Sequence, residues 1–205
     1  MIIVPKFEIK YNEKTGIYTI ISMVASKCPM CGGSVYHRDN KFRSSKKLCG
    51  EVRRFKLRRL LCDNCTKLHT EIPDIIQPFK HYDSETIQSV IDGGEKAMDC
   101  VADDSTINRW KSDFAKATPD IEQRLASAYV QETGIKPPVL SSATILAYIR
   151  AIQKHWLAFV MGLLINNGHK LCTRFAFCPA HMDGIVISTI NKGGIPDDKT
   201  TADTG

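Results

Sequence analysis

The sequence predicts an α+β chain: an N-terminal β-hairpin and a zinc ribbon, followed by a mostly α-helical region that contains a helix-turn-helix. Three observations lead there. Two Cys-x-x-Cys pairs, Cys28-Pro29-Met30-Cys31 and Cys62-Asp63-Asn64-Cys65, have the spacing of paired metal-binding turns. Around them, apolar and polar side chains alternate with a period of two, the mark of half-buried strands. From Asp83 onward the period becomes helical.

Residues 1–26 form the hairpin. Phe7-Glu8-Ile9-Lys10-Tyr11 alternates, Asn12 to Gly16 supplies the turn, and Ile17-Tyr18-Thr19-Ile20-Ile21 returns. No chemistry-bearing motif lies in it, so its expected role is packing.

The ribbon and a connector occupy residues 27–82. Cys28, Cys31, Cys62 and Cys65 are the expected ligands of one structural Zn2+, because two thiolate turns can close a tetrahedron around the ion. Gly32, after the first pair, tolerates the positive φ that such a turn commonly needs. A disulfide or redox pair is the competing reading, but a thioredoxin-like site needs one pair in a βαβ setting absent here. Cys49 has no partner at knuckle spacing and is excluded, and His69 is expected to pack rather than ligate. The stretch Arg38 to Gly50 is polar and reads as a mobile loop. In the strand Val52 to Leu61, Arg54, Lys56 and Arg58 share one face, a ridge suited to phosphates or to protecting a sheet edge. Pro73 and Pro78 then forbid a regular helix, and the connector is expected to be extended.

Residues 83–134 read as a helix-turn-helix-like unit. A first helix runs from a cap at Asp83 or Ser84 to Ile91, a second from Glu95 to Ala102, and a third begins at Asp104 or Ser105. In the third, Ile107, Trp110 and Phe114 turn inward, leaving Thr106, Asn108, Arg109, Lys111 and Ser112 as candidate DNA-binding residues. Asn and Arg suit bidentate contacts with adenine and guanine edges. An ordinary packed helix carries such residues too, and Asp103-Asp104 would repel phosphate unless they serve as a cap. Thr118-Pro119 marks a fourth helix to about Gln131.

Residues 135–190 hold a short proline linker, one long helix over about Ser142–Asn166, and possible strands. The long helix is apolar enough for a buried or homodimer-forming role, while Arg150, Lys154 and His155 interrupt it too often for a membrane span. His169, Cys172, Cys178 and His181 have a suggestive second-metal spacing, although Phe175-Ala176-Phe177 reads better as a strand. Residues 191–205 have the composition of a disordered tail.

Charge is uneven. The net value is +6, yet Lys27 to Lys67 alone holds twelve Lys/Arg against three acids. Positive charge on the metal module is expected if it faces a polyanion, and a solvated basic loop is the bland alternative. With no secretory signal and no membrane-length apolar run, a cytoplasmic, nucleoid-associated protein is expected.

The run Arg58 to Cys65, then His69, Pro73, Pro78 and Tyr82, then Thr106-Ile107-Asn108-Arg109-Trp110, resembles an uncharacterised bacterial family of transposon-associated zinc-ribbon proteins. More distantly it is similar to the N-terminal DNA-binding regions of transposases. The resemblance spans about residues 27–115 and implies a four-cysteine zinc site with duplex DNA contacted through the third helix. The residues after 118 are too few for an RNase H-like catalytic domain, and Asp120, Glu122 and Glu132 crowd on one short helix. The expectation is a non-enzymatic, sequence-specific DNA-binding protein of a mobile element. Binding of RNA or the ribosome, or a zinc-stabilised dimeric scaffold, are the alternatives.

Overall fold

A computed structural model describes residues 1–136 and 144–169. Six strands, β1 (Ile2–Val4), β2 (Phe7–Asn12), β3 (Ile17–Ser22), β4 (Val35–Lys46), β5 (Val52–Cys62) and β6 (Leu68–Pro73), make one curled mixed sheet. Five helical segments follow: α1 (Ser84–Asp92), α2 (Glu95–Met98), α3 (Asp104–Thr133), α4 (Ile145–Ile152) and α5 (Trp156–Asn166).

Strand β5 is the spine. Along one edge it pairs antiparallel with β4 from Val52↔Lys46 to Cys62↔Val35, broken only by a bulge between His37 and Asp39. Its other edge is shared: Arg54 to Lys56 pair parallel with β3, and Arg59 to Leu61 pair antiparallel with β6. The hairpin β2–β3 therefore extends the same sheet that carries the cysteines. One face of β5 is apolar, with Phe55 and Leu57 buried against Ile3, Ile20, Ile72, Ile76 and Ile165.

Most of the polar segment expected to be a mobile loop, Arg38 to Lys46, belongs to strand β4, and Lys47 to Gly50 turn the chain toward β5. The side chains of β4 are mostly exposed, so it has no apolar alternation to betray it. Ladder hydrogen bonds to β5 hold it in place.

Strand β1 docks parallel on β6 and is sealed on its far side by a helix. Asn166, the last residue of α5, accepts from Ile3 N–H and donates to Ile3 C=O, both at 2.9 Å, standing in for a missing strand. Gly162 of the same helix lies alongside, where a Cβ would make ordinary contact, 3.7 Å, with the Ile3 side chain.

The broad α+β class holds, but the helix-turn-helix does not. The segment before α3 is a single turn, and its Met98 is 86% exposed, so no second helix packs as a support. Helix α3 is 30 residues long, about 45 Å by its rise. It packs on α1, α4 and α5 through Trp110, Phe114, Ala117, Ile121, Leu125, Ala128 and Tyr129. That stripe runs straight through Pro119, merging the expected third and fourth helices. Burial on both sides of the proline outweighs its cost of about 3 kcal/mol. Asp103 is the N-cap, accepting from Thr106 N–H at 2.8 Å. Hydrogen bonds from Ser105 and Thr106 hold its carboxyl down at about 2.

The single helix expected over 142–166 is two. Backbone groups at the break are satisfied by Gln88 of α1, whose Nε2 donates to Lys154 C=O and whose Oε1 accepts from Leu157 N–H. Asp92 also holds the joint, accepting from Arg150 at 2.5 Å and from Trp156 Nε1 at 3.0 Å. The apolar side chains considered for a dimer, Trp156, Val160 and Leu163 among them, are buried within the one chain. Residues 137–143 and 170–205, which include the proline linker, Cys172, Cys178, His181 and the tail, lie outside the described residues. No helix of the described residues is long and apolar enough to cross a membrane.

Candidate metal centre and the open sheet face

Both cysteine pairs sit in turns of the same design. Gly32 N–H donates to Cys28 C=O at 2.8 Å in the first, and Thr66 N–H to Cys62 C=O at 3.1 Å in the second. Cys28 N–H also reaches Gly33 C=O, as Cys62 N–H reaches Lys67 C=O. The residue after each second cysteine has positive φ, 70° at Gly32 and 54° at Thr66. A β-branched residue is strained there. Thr66→Gly is expected to stabilise the protein by about 1 kcal/mol in chemical denaturation, and an unchanged or lower midpoint would count against the strain.

The two turns lock together. Asp63 N–H donates to Ser34 C=O at 3.1 Å, and a Cβ on Gly33 would lie 2.7 Å from Asn64 Nδ2. Gly33 is needed for that contact, whereas Gly32 is needed for its backbone angle.

The result is a compact sulfur cluster. The four Sγ atoms lie within 4.8 Å of one another, with Cys28–Cys65 and Cys31–Cys62 both at 3.5 Å. A disulfide needs about 2.05 Å, so these are free thiols. Four thiolates so close repel unless a cation sits among them. Gly33 N–H favours the Cys31 thiolate, but the sulfurs of Cys62, Cys65 and Cys28, together with burial, push its pKa up to about 12. Cys62, receiving N–H bonds from Cys65 and Asn64, is lowered to about 7. Tight turns, convergent sulfurs and this charge conflict fit a site that could hold a metal ion.

His69 is not among the four clustered groups but touches one. Its Nε2 lies 3.3 Å from Cys28 Sγ, and its Nδ1 lies 2.9 Å from the Met1 nitrogen. A neutral ring protonated at Nε2 satisfies both contacts. Burial, with nearby positive charge, pushes its pKa down to about 4. An N–H aimed at a ligand sulfur orients that ligand from outside the coordination shell. The cysteine spacing gives no hint of it; register does, because His69 pairs with Leu60, two residues before Cys62.

A family model described as "Domain of unknown function (DUF6431)" matches residues 28–110. Its span begins at the first cysteine and ends at buried Trp110. No curated protein and no solved structure matches the chain.

On the side of β5 opposite Phe55 and Leu57 stand Arg54, Lys56 and Arg58. Register extends this row across the sheet: Lys10 of β2 is opposite Thr19, Thr19 opposite Lys56, and Lys56 opposite Phe42 of β4. Lys10 and Arg54 are exposed, Lys56 is half-buried, and Phe42 is 46% exposed beneath the Arg54 guanidinium, 5.0 Å from the ring centre. Arg58 is committed differently. It donates to Glu71 at 2.8 Å, a buried carboxylate that also accepts from Ser26. Arg59 is paired with Asp39, and Lys47 and Arg53 with Glu51.

The other predicted DNA-binding residues lie on α3. Asn108, Arg109, Lys111 and Ser112 are exposed and Thr106 is half-buried, with Arg109 donating to Thr106 Oγ1 at 3.2 Å. They sit on the outer side of a long structural helix that has no helix-turn-helix partner.

Proposed function

We propose that this chain is a non-catalytic DNA-binding protein in which one structural zinc ion stiffens a sheet whose open face contacts the phosphate backbone. The observation that carries this reading is the row of Lys10, Lys56 and Arg54 on that face, where no acid pairs with them among the described residues. Zinc suits the cluster because a zinc–sulfur bond of about 2.3 Å sets sulfur–sulfur edges of about 3.8 Å in a tetrahedron. A ring of four thiolates leaves no position for a substrate, which favours a structural ion over a catalytic one. Resemblance to transposon-associated zinc-ribbon proteins supports a mobile-element context and work at the nucleoid.

Fluorescence anisotropy with a labelled duplex across a salt series tests the reading. Affinity should fall with salt at a log–log slope of about −0.9 per neutralised phosphate, and Arg54→Ala with Lys56→Ala should reduce that slope by about two contacts. Melting temperature should stay the same. A flat salt dependence, or a double variant with the parent's slope, would refute the assignment of this face.

One observation favours a second reading. Phe42 stands exposed in the same row, and aromatic platforms beside cations bind single strands by stacking. On that reading Phe42→Ala weakens single-strand binding by about 1–3 kcal/mol and leaves duplex binding alone.

A further inference from the structure

Opposite the open face, on the inner side of the sheet, lies a cleft of about 660 Å3 between β4, β5, β6 and the segment that follows β6. Lys41, Arg43, Phe79, Lys80 and His81 line it, with Leu57 among the apolar residues of its wall; no acidic side chain lines it. Lys41 and Arg43 are two apart on β4 and so share a face.

Arg43 is the unusual member. Its Nη2 donates to two backbone carbonyls, Gln77 at 2.5 Å and Lys80 at 2.7 Å. Carbonyl oxygens carry no net charge, and no carboxylate pairs with this guanidinium among the described residues. Burial pushes its pKa down, as expected for a cation removed from water without a counter-charge. Lys80, by contrast, is 3.5 Å from Asp113 and is already partnered.

Phe79 adds an aromatic surface. It is 37% exposed at the cleft and holds a φ of 59°, a left-handed conformation that strains a bulky residue. A strained aromatic beside an uncompensated cation is an arrangement that a ligand can reward.

We propose that this cleft binds a nucleoside 5′-phosphate, with Arg43, Lys41 and His81 holding the phosphate monoester and Phe79 stacking on the base. A free nucleotide and the phosphorylated end of a strand present the same chemistry. The site stands apart from the open sheet face and does not depend on it.

Isothermal titration calorimetry on the full metal-loaded chain tests the site with AMP, adenosine, inorganic phosphate, and a short oligonucleotide with or without a 5′-phosphate. AMP should bind at least about tenfold more tightly than adenosine, because the phosphate supplies the charge contact. Lys41→Glu should weaken AMP about tenfold or more. Phe79→Asn, whose new side chain tolerates the left-handed backbone, should reduce AMP affinity to that of inorganic phosphate without lowering the melting temperature. Arg43→Ala is unsuited as the sole variant because it also removes the two carbonyl contacts. Preference for AMP over the phosphorylated strand identifies a free nucleotide; the reverse identifies a strand end, and either supports the site. Three results overturn it: no binding of AMP or phosphate up to about 10 mM, equal affinity for AMP and adenosine, or AMP affinity unchanged in both variants.

Discussion

If the four-cysteine cluster holds the proposed zinc ion, Cys62→Ser is expected to strip it and leave the whole described fold unable to persist at 37 °C. A structural zinc contributes on the order of 10 kcal/mol to folding at neutral pH, comparable to the entire stability of a typical domain. The damage should not stop at the ribbon. Gly168, just past α5, packs so closely on the first turn that a Cβ there would lie 2.6 Å from Pro29 C=O. Ile165 of the same helix belongs to the sheet's core. Circular dichroism at helical wavelengths and release of metal to a chromogenic chelator should therefore follow one transition. Cys49→Ser, at an exposed cysteine outside the cluster, is the control and should change neither signal. A Cys62→Ser protein that keeps its metal and its melting temperature would sink the assignment. Acid should act in the same direction. The metal needs thiolates, so its affinity falls as pH drops and protons compete for sulfur.

Trp110→Ala should cost about 3–5 kcal/mol, the range for emptying a buried aromatic site. Trp110 is 2% exposed and meets the edge of Tyr82 at 5.0 Å between ring centres, joining α3 to the segment that leaves the sheet. Urea denaturation measures the loss. Trp110→Phe, which keeps a ring in the cavity, should recover a large part of it. Duplex affinity of the protein that remains folded should be unaltered, because the cationic row lies elsewhere. A loss below about 1 kcal/mol would place the ring outside the load of the core, against its burial.

Much of the site was legible in the chain and less of the fold. Cysteine spacing is read directly because chemistry fixes it, and the four sulfurs do converge. The period of two in β5 is equally direct: Arg54, Lys56 and Arg58 fall on one side, and Phe55 and Leu57 on the other. What local pattern cannot carry is long-range pairing. β4 is polar on most of its length and declares itself only through its partner β5. His69 reaches Cys28 by strand register rather than by motif, and Asn166 meets Ile3 across nearly the whole described chain. The helix-turn-helix expectation failed for a related reason. An Ile/Trp stripe at helical spacing says that a helix is buried, not what it is buried against, and here the stripe continues past Pro119 into a bundle with α1, α4 and α5. Conversely, the break before Trp156 depends on Gln88, more than sixty residues away, supplying the missing backbone partners.

The clamp of Asn166 on Ile3 also sets an order of events during synthesis. These groups are 163 positions apart, so β1 has no complete seat until the last described helix has been synthesised. Its other neighbour, β6, arrives earlier, but that leaves one edge of a short apolar ribbon open while translation proceeds. Strand β1 must wait, half-docked, for the helix that closes over it.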